Sequence, residues 1–372
     1  MPNLLVNHWY AHPVGHAVEA LRYALGYRLA DPDLSISVLL NGAAPAELGG
    51  CCPFLERTYA VGFTDFVHGE GDAAAALREV PREWDYVVDD HRSREPEQLA
   101  AFVGLRRFYE AAAAHFRPRI SHGVAGASPP PYVPHGQLRL ELPQRARARA
   151  RAELDGSEPV IALMPAGSSP PPTYPSASSW ELIAQALAEA LPGLRFCLVG
   201  KLRNDGRTTS AITRDEIDRI SAACEAVDAF DRPLLDQLAL VERCALFLSP
   251  HTGFGTAALS VETPWLCLSG GRWHEWFFNG VPFYSVLPHD GYAWMSRLPV
   301  VEDDGDGPRI PSMTRGRIDA DLPELVAAAE ELIAGRVSYE EALRRHFPRL
   351  LEAYGGDRSR IFTLDSIHDR YL

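Results

Sequence analysis

Lysine is all but missing from this chain: among its 36 basic residues only Lys201 is one. Arginine and alanine are abundant instead, which fits a GC-rich coding sequence. No G-x-x-x-x-G-K-[ST] loop, G-x-G-x-x-G fingerprint or G-x-S-x-G elbow occurs. Those gaps argue against P-loop kinase, nicotinamide-enzyme and serine-hydrolase chemistry. Long apolar runs are missing too, and none nears the roughly 20 residues that span a bilayer. Positive charge is in deficit, with a formal net charge of −13, so a general nucleic-acid or anionic-membrane binder is not expected. The six cysteines show no C-x-x-C and no zinc-like His/Cys spacing, so no metal site is expected. The one adjacent pair, Cys51-Cys52, reads as turn or core, with a redox pair as the alternative. The opening Met1–His8 has neither a basic region nor a cleavage signal, and it reads as the first strand of a cytoplasmic protein.

What the chain has is a twofold alternation of short apolar runs and helical spacings over 372 residues, enough for two domains. In the first half, strands are predicted at Leu4–Val6, Ile36–Leu40, Tyr86–Val88 and Arg119–Ser121. Helices are predicted at Ala17–Leu29, Pro96–Arg107 and Arg107–His115. A proline-rich stretch, Ser128–Pro134, and an arginine–alanine repeat within Pro143–Leu154 then interrupt the pattern. The repeat reads as a solvated helix face or as a surface for acids. The alternation restarts with strands at Val160–Met164, Leu194–Val199, Leu246–Leu248 and Trp265–Leu268. Its helices are Trp180–Ala190, N-capped by Ser179, Pro233–Arg243, Leu322–Ile333 and Tyr339–Tyr354. Asn204–Thr213 is polar and reads as a loop. The expected fold class is α/β, with two Rossmann-like domains whose parallel sheets face a central cleft. The expected boundaries are 1–143 for the first domain, 144–157 for a linker region and 158–335 for the second domain. Residues 336–372 form a helical tail that packs back on the first domain.

Ligands of such sheets sit beyond the carboxyl ends of the strands. The richest such end is Leu246–Ser260, where an apolar run stops at Ser249-Pro250 and His251-Thr252-Gly253-Phe254-Gly255 leads into a helix beginning near Thr256. Gly253 and Gly255 let backbone approach a ligand, and a helix N-terminus favours an anion such as phosphate. An unliganded βα connection is the competing reading. Two further strand ends carry Gly167-Ser168-Ser169 and Lys201, so the three turns together could cradle a diphosphate. In the first half, His12 and His16 flank Gly15 after strand one, and a histidine there can act as general base or merely pack its helix. Asp89, Asp90, His91 and Arg92 form a second polar cluster, fit for sugar hydroxyls or for local ion pairs. Trp273–Asn279 is aromatic, and reads as core, pocket wall or interface.

These residues together resemble the GT-B glycosyltransferases of the ADP-heptose:lipopolysaccharide heptosyltransferase type, across most of residues 4–270. His12–Leu25 is similar to that family's opening Gly-Asp turn and helix, and Trp84–Asp89 to its Tyr-Asp-hydrophobic-Asp strand. Val160–Leu191 resembles the strand, loop and Trp-containing helix of its nucleotide domain. Arg232–Gly253 resembles its Leu-rich helix, strand and Asp-Ser/Thr-Gly turn, and Thr263-Pro264-Trp265 its next Gly-Thr-Pro. Departures fall at the site itself. His16 stands where the family has its catalytic-base Asp, and His251 stands for the Asp of the Asp-Ser/Thr-Gly turn. The family's His a few residues later has no clear match, Thr256 lying nearest. Its first-loop lysine is absent, with Thr173 or Tyr174 nearby.

The resemblance implies metal-independent transfer of a hexosyl or heptosyl group from a nucleoside-diphosphate sugar to the hydroxyl of a small-molecule or glycan acceptor, with no cofactor. His16 is then the base. Gly167, Ser168, Ser169, Lys201, His251, Thr252 and Gly253 hold the donor, and His12, Asp89 and His91 hold the acceptor. The alternatives are a catalytically degenerate nucleotide-sugar-binding or regulatory protein and a GT-B sugar-nucleotide epimerase.

Overall fold

The computed structural model describes all residues except 11–12, 63–68, 123–129, 157, 225, 271–272, 290 and 293–300, and in addition omits the side chains of Ser121 and His122. It divides into two compact units, Met1–Glu141 and Leu142–Leu372.

The first unit runs β1 (Asn3–His8), α1 (Val14–Ala30), β2 (Ser35–Asn41), β3 (Arg57–Val61), α2 (Ala73–Ala76), β4 (Glu83–Asp89), α3 (Pro96–Ala101), α4 (Val103–His115) and β5 (Arg117–His122). All strand pairs are parallel, in the order β3-β2-β1-β4-β5. β1 and β2 are buried on both faces, as parallel strands covered by helices require. Trp9 anchors the core: its ring stacks on Phe108 at 4.3 Å, and its Nε1–H donates to Val61 O at 2.6 Å. The two adjoining helices expected over Pro96–His115 are parted at Phe102, an extended residue packed against this core.

The second unit runs α5 (Gln144–Glu153), β6 (Val160–Leu163), α6 (Ala177–Ala190), β7 (Arg195–Leu198), α7 (Arg214–Cys224), β8 (Val227–Asp228), α8 (Leu234–Arg243), β9 (Leu246–Pro250), α9 (Gly253–Ser260), β10 (Trp265–Leu268), β11 (Phe283–Val286), α10 (Arg315–Ile333) and α11 (Tyr339–Ala353). Its sheet is parallel, ordered β11-β10-β9-β6-β7-β8. The segment read as a linker contains helix α5, and Arg147 on it pairs with Glu242 on α8 at 2.7–2.8 Å. The final segment makes contacts inside this unit: α11 packs on β11, and Leu364 N–H donates to Trp276 O at 2.8 Å.

Helix starts differ from expectation for identifiable reasons. Ser176, not Ser179, caps α6, its Oγ accepting from Ser179 N–H at 3.3 Å. α10 begins at Arg315 rather than Leu322, because Thr314 caps it and an Arg317–Asp321 pair at 2.6 Å ties its first turns ahead of Pro323. α9 begins at Gly253 rather than near Thr256. Gly255 therefore lies in its first turn, where a Cβ would meet the Trp265 ring at 2.3 Å. Its missing side chain serves helix–strand packing.

Candidate functional site

Strand order reverses direction between β1 and β4 in the first unit and between β6 and β9 in the second. Such switch points open a crevice beyond the strand ends, and both carry polar residues here.

In the first unit His8 ends β1, Asp90 follows β4, and Glu19 comes from the second turn of α1. All three are buried. His8 Nε2 lies 3.3 Å from Asp90 Oδ2 and 3.5 Å from Glu19 Oε2. The Arg92 guanidinium joins the two carboxylates, with contacts of 3.0 and 3.2 Å to Asp90 and 3.2 and 3.3 Å to Glu19. Its other face lies over the Tyr10 ring, 4.4 Å from the centroid. His16, in the first turn of α1, places Nδ1 3.0 Å from Glu19 Oε2 while its side chain stays 23% exposed. His91 Nδ1 reaches Asp90 Oδ1 at 3.2 Å.

This arrangement sorts the charges. Burial opposes ionisation of Glu19, yet Arg92 and the two histidines hold it well below the usual carboxylate range. Burial likewise opposes Asp90, and His8 and Arg92 hold it low. His16 is pushed down, chiefly by desolvation, against its hydrogen bond to Glu19. Asp89 behaves oppositely: burial lifts it to about 6, although it accepts a 2.7 Å hydrogen bond from Asn7 Nδ2.

Among the sequence candidates, His16 and His91 thus meet in one carboxylate knot, and Asp89 stands beside it on Asn7. His12 lies outside the described residues. Glu19 was not anticipated. Its signal was a carboxylate three residues beyond His16 on the same helical face.

In the second unit the loop after β6 meets the start of α9. A Cβ on Gly167 would come within 2.8 Å of Tyr174 Oη and 2.9 Å of Thr252 Cγ2. Ser169 N–H donates to Tyr174 Oη at 2.8 Å, and Ser168 is exposed. Thr252 occupies the N-cap position of α9 without a side-chain cap, which leaves first-turn amides for another acceptor. Lys201 Nζ pairs with Asp205 Oδ2 at 2.7 Å. Its loop returns to the candidate site: Ser210 N–H donates to Lys201 O at 2.6 Å, and Ala211 N–H to Gly167 O at 2.7 Å. His251 Nδ1 lies 3.0 Å from Glu275 Oε1. The aromatic stretch around Glu275 is largely core. Within it His274 is pushed to about 4 by burial. Its Nε2 contacts Phe362 O, and its Nδ1 contacts Tyr354 Oη, both at 2.7 Å. Among the described residues no helix is long and apolar enough to cross a membrane.

Two Rossmann-like units, each with polar residues gathered at its switch point, define a fold of the GT-B type. Solved structures agree. A family 9 glycosyltransferase of Veillonella parvula superposes with a TM-score of 0.60 at 14% identity, over 90% of this chain and 97% of that one. The ADP-heptose lipopolysaccharide heptosyltransferase II of E. coli gives 0.54 at 15%, over 89% and 100%. E. coli heptosyltransferase WaaC, in a structure with ADP, gives 0.50 at 13%, over 88% and 99%. No family profile and no curated protein sequence matches the chain. At these identities the likeness shows the fold, which is the fold of known glycosyltransferases.

Proposed function

We propose that this protein is a glycosyltransferase that moves a hexosyl or heptosyl group from a nucleoside-diphosphate sugar to an acceptor hydroxyl, without a metal and with His16 as general base. The observation that carries this reading is the His16–Glu19 pair at the switch point of the first unit, in a fold shared with heptosyltransferases. Desolvation disfavours the imidazolium of His16, so the ring is neutral at pH 7 and ready to accept a proton. Glu19 orients the ring through Nδ1, leaving Nε2 for the acceptor O–H.

As that proton moves to His16, the acceptor oxygen forms a bond to the anomeric carbon. The bond from that carbon to the diphosphate oxygen breaks, and its electron pair leaves with the diphosphate. Asp89 and His91, and His12 with them, shape the acceptor site of the first unit. The second unit holds the donor. Gly167, Ser168, Ser169, Thr252 and Gly253 supply amides and hydroxyls to the diphosphate, with Lys201 as a nearby cationic group and His251 as a hydrogen-bond donor.

The test begins with a thermal-shift panel of ADP, GDP, UDP, CDP and dTDP, where a hundredfold excess over Kd stabilises by about 2.7 kcal/mol. Turnover of the matching nucleotide sugar is then followed in wild type and His16→Ala. The expected result is a loss of kcat of about 10²-fold or more, with donor affinity kept. Equal losses of kcat and donor affinity would remove His16 from the base role. Binding without turnover would favour a degenerate binding protein, and donor consumption without acceptor would favour an epimerase.

A further inference from the structure

We propose that His8, His16 and Glu19 form a binding site for a single zinc-like divalent cation, and that occupation of this site and proton abstraction by His16 exclude each other. The second half rests on the transferase reading above. Transfer itself runs without the ion, which acts as an inhibitor.

The three ligands are brought together by local structure. His16 and Glu19 stand three residues apart on α1 and so share a helical face. His8 is the last residue of β1, the strand that precedes that helix. His8 Nε2, His16 Nδ1 and Glu19 Oε2 all lie within 4.8 Å of one another. Two imidazoles and a carboxylate are a set that zinc accepts with its fourth position left open.

The His8 ring carries the inference. It is 1% exposed, and neither ring nitrogen has a hydrogen-bond partner among the described residues. A buried polar group without a partner is costly. Its Nε2 stands 3.3 Å from Asp90 Oδ2 and 3.5 Å from Glu19 Oε2, and neither contact has the geometry of a hydrogen bond. Tetrahedral bonds of about 2.0–2.2 Å set donor atoms about 3.3–3.5 Å apart, so His8 and Glu19 already have the spacing of a shared ion. The 3.0 Å contact between His16 Nδ1 and Glu19 Oε2 is a hydrogen bond, and it has to open by about 0.3–0.5 Å. His16 is the ligand able to move, with a side chain 23% exposed against 1% for His8 and 2% for Glu19. Its exposed edge is also the way in for the ion.

Charge points the same way. Glu19 and Asp90 share one guanidinium, that of Arg92, so two buried carboxylates face one cation and a second cation offsets the excess. Arg92 also holds Glu19 in place through contacts of 3.2 and 3.3 Å, the supporting part that outer groups play around a metal.

The exclusion follows from lone pairs. A neutral imidazole has one ring nitrogen that accepts and one that donates. With Nδ1–H donated to Glu19, Nε2 accepts the proton of the acceptor hydroxyl. With Nδ1 bonded to a metal, Nε2 carries the hydrogen and has no pair left to accept with.

The experiment is titration of the chelator-stripped full chain with cobalt(II) at neutral pH, followed by calorimetry and absorption, in wild type, His8→Ala and His16→Ala. Wild type is expected to take up one ion per chain and to show the visible bands of a four- or five-coordinate site, without the intense near-ultraviolet band of a cobalt–thiolate bond. Each variant is expected to bind at least about 100-fold more weakly, since loss of a supporting group alone costs about 10–100-fold. His16→Ala places a strong helix former on a partly exposed helix position, so that arm stands even if His8→Ala does not fold. Zinc(II) is expected to abolish turnover of the nucleotide sugar, and a chelator to restore it. No uptake by wild type would overturn the proposal, a proton on His8 then meeting the excess of negative charge. A thiolate band would overturn it too, placing the ion on a cysteine such as Cys267, which groups with His251 and Glu275. So would uptake unchanged in both variants, or full turnover by zinc-loaded protein. Uptake by a protein that turns over no nucleotide sugar would support the site and leave the transferase reading as the part that failed.

Discussion

Replacing Asp89 by asparagine is expected to stabilise the protein above pH 6 and to leave it nearly unchanged near pH 4. The carboxyl ends β4 at the switch point, and burial lifts it from its ordinary 3.8 to about 6 against the hydrogen bond from Asn7. Between those two values the folded state holds a proton that the unfolded chain has released. Stability from this group is therefore full below pH 3.8, falls as pH rises, and is gone once the folded carboxyl has ionised. The gap from 3.8 to about 6 corresponds to about 3 kcal/mol. Water reaching the strand end trims this to about 1–3 kcal/mol. Asparagine keeps an oxygen for Asn7 Nδ2 and carries no charge at any of these pH values. Urea unfolding of both proteins at steps from pH 4 to 8 measures the difference directly. A stability difference that stays constant across that range would refute the account, because packing changes lack the pH dependence that ionisation imposes. The raised carboxyl would then be no feature of the folded protein, and its place at the acceptor site would lose this support.

Arg92→Met leaves Glu19 and Asp90 buried without their guanidinium, and is expected to cost about 3–5 kcal/mol at pH 7. Chemical denaturation checks this, and the cost is expected to shrink in acid, where the orphaned carboxylates take up protons. Gly255→Val drives side-chain atoms into the Trp265 ring. It is expected to destabilise the second unit by about 1–3 kcal/mol or more, read as a lower midpoint in calorimetry.

Strands that are short apolar runs ending in polar or glycine residues were legible: Leu4–Val6, Val160–Met164 and Leu246–Leu248 all fall on observed strands. β3 was not read, because Arg57–Val61 is a sheet-edge strand with four of its five residues at least partly exposed, so neither a run nor a clean alternation shows. α7 was missed for a similar reason, since Ile217 and Ile220 are its only buried positions and the rest is charged or small. Residues of the candidate sites were legible where they follow a strand end, as Asp89, Gly167 and His251 do, or open the next helix, as His16 does. Their partners were not. Glu19 is a charge buried on a helix face that otherwise reads as apolar, and Glu275 sits in an aromatic run 24 residues from the histidine it meets. Pairing across such distances is set by the parallel sheet, which brings β9 beside β10 and so His251 to the segment that follows β10.

Lys201 has a use that follows from its solitude. An acylating reagent finds two aliphatic amines in this chain, the α-amine and Lys201. Blocking the α-amine first leaves Lys201 for a second reagent. A fluorophore placed this way sits on the loop whose Ala211 N–H is bonded to Gly167 O. That loop is thus open to chemical tagging at a single position without mutagenesis, and the tag reports from the doorstep of the segment that follows β6.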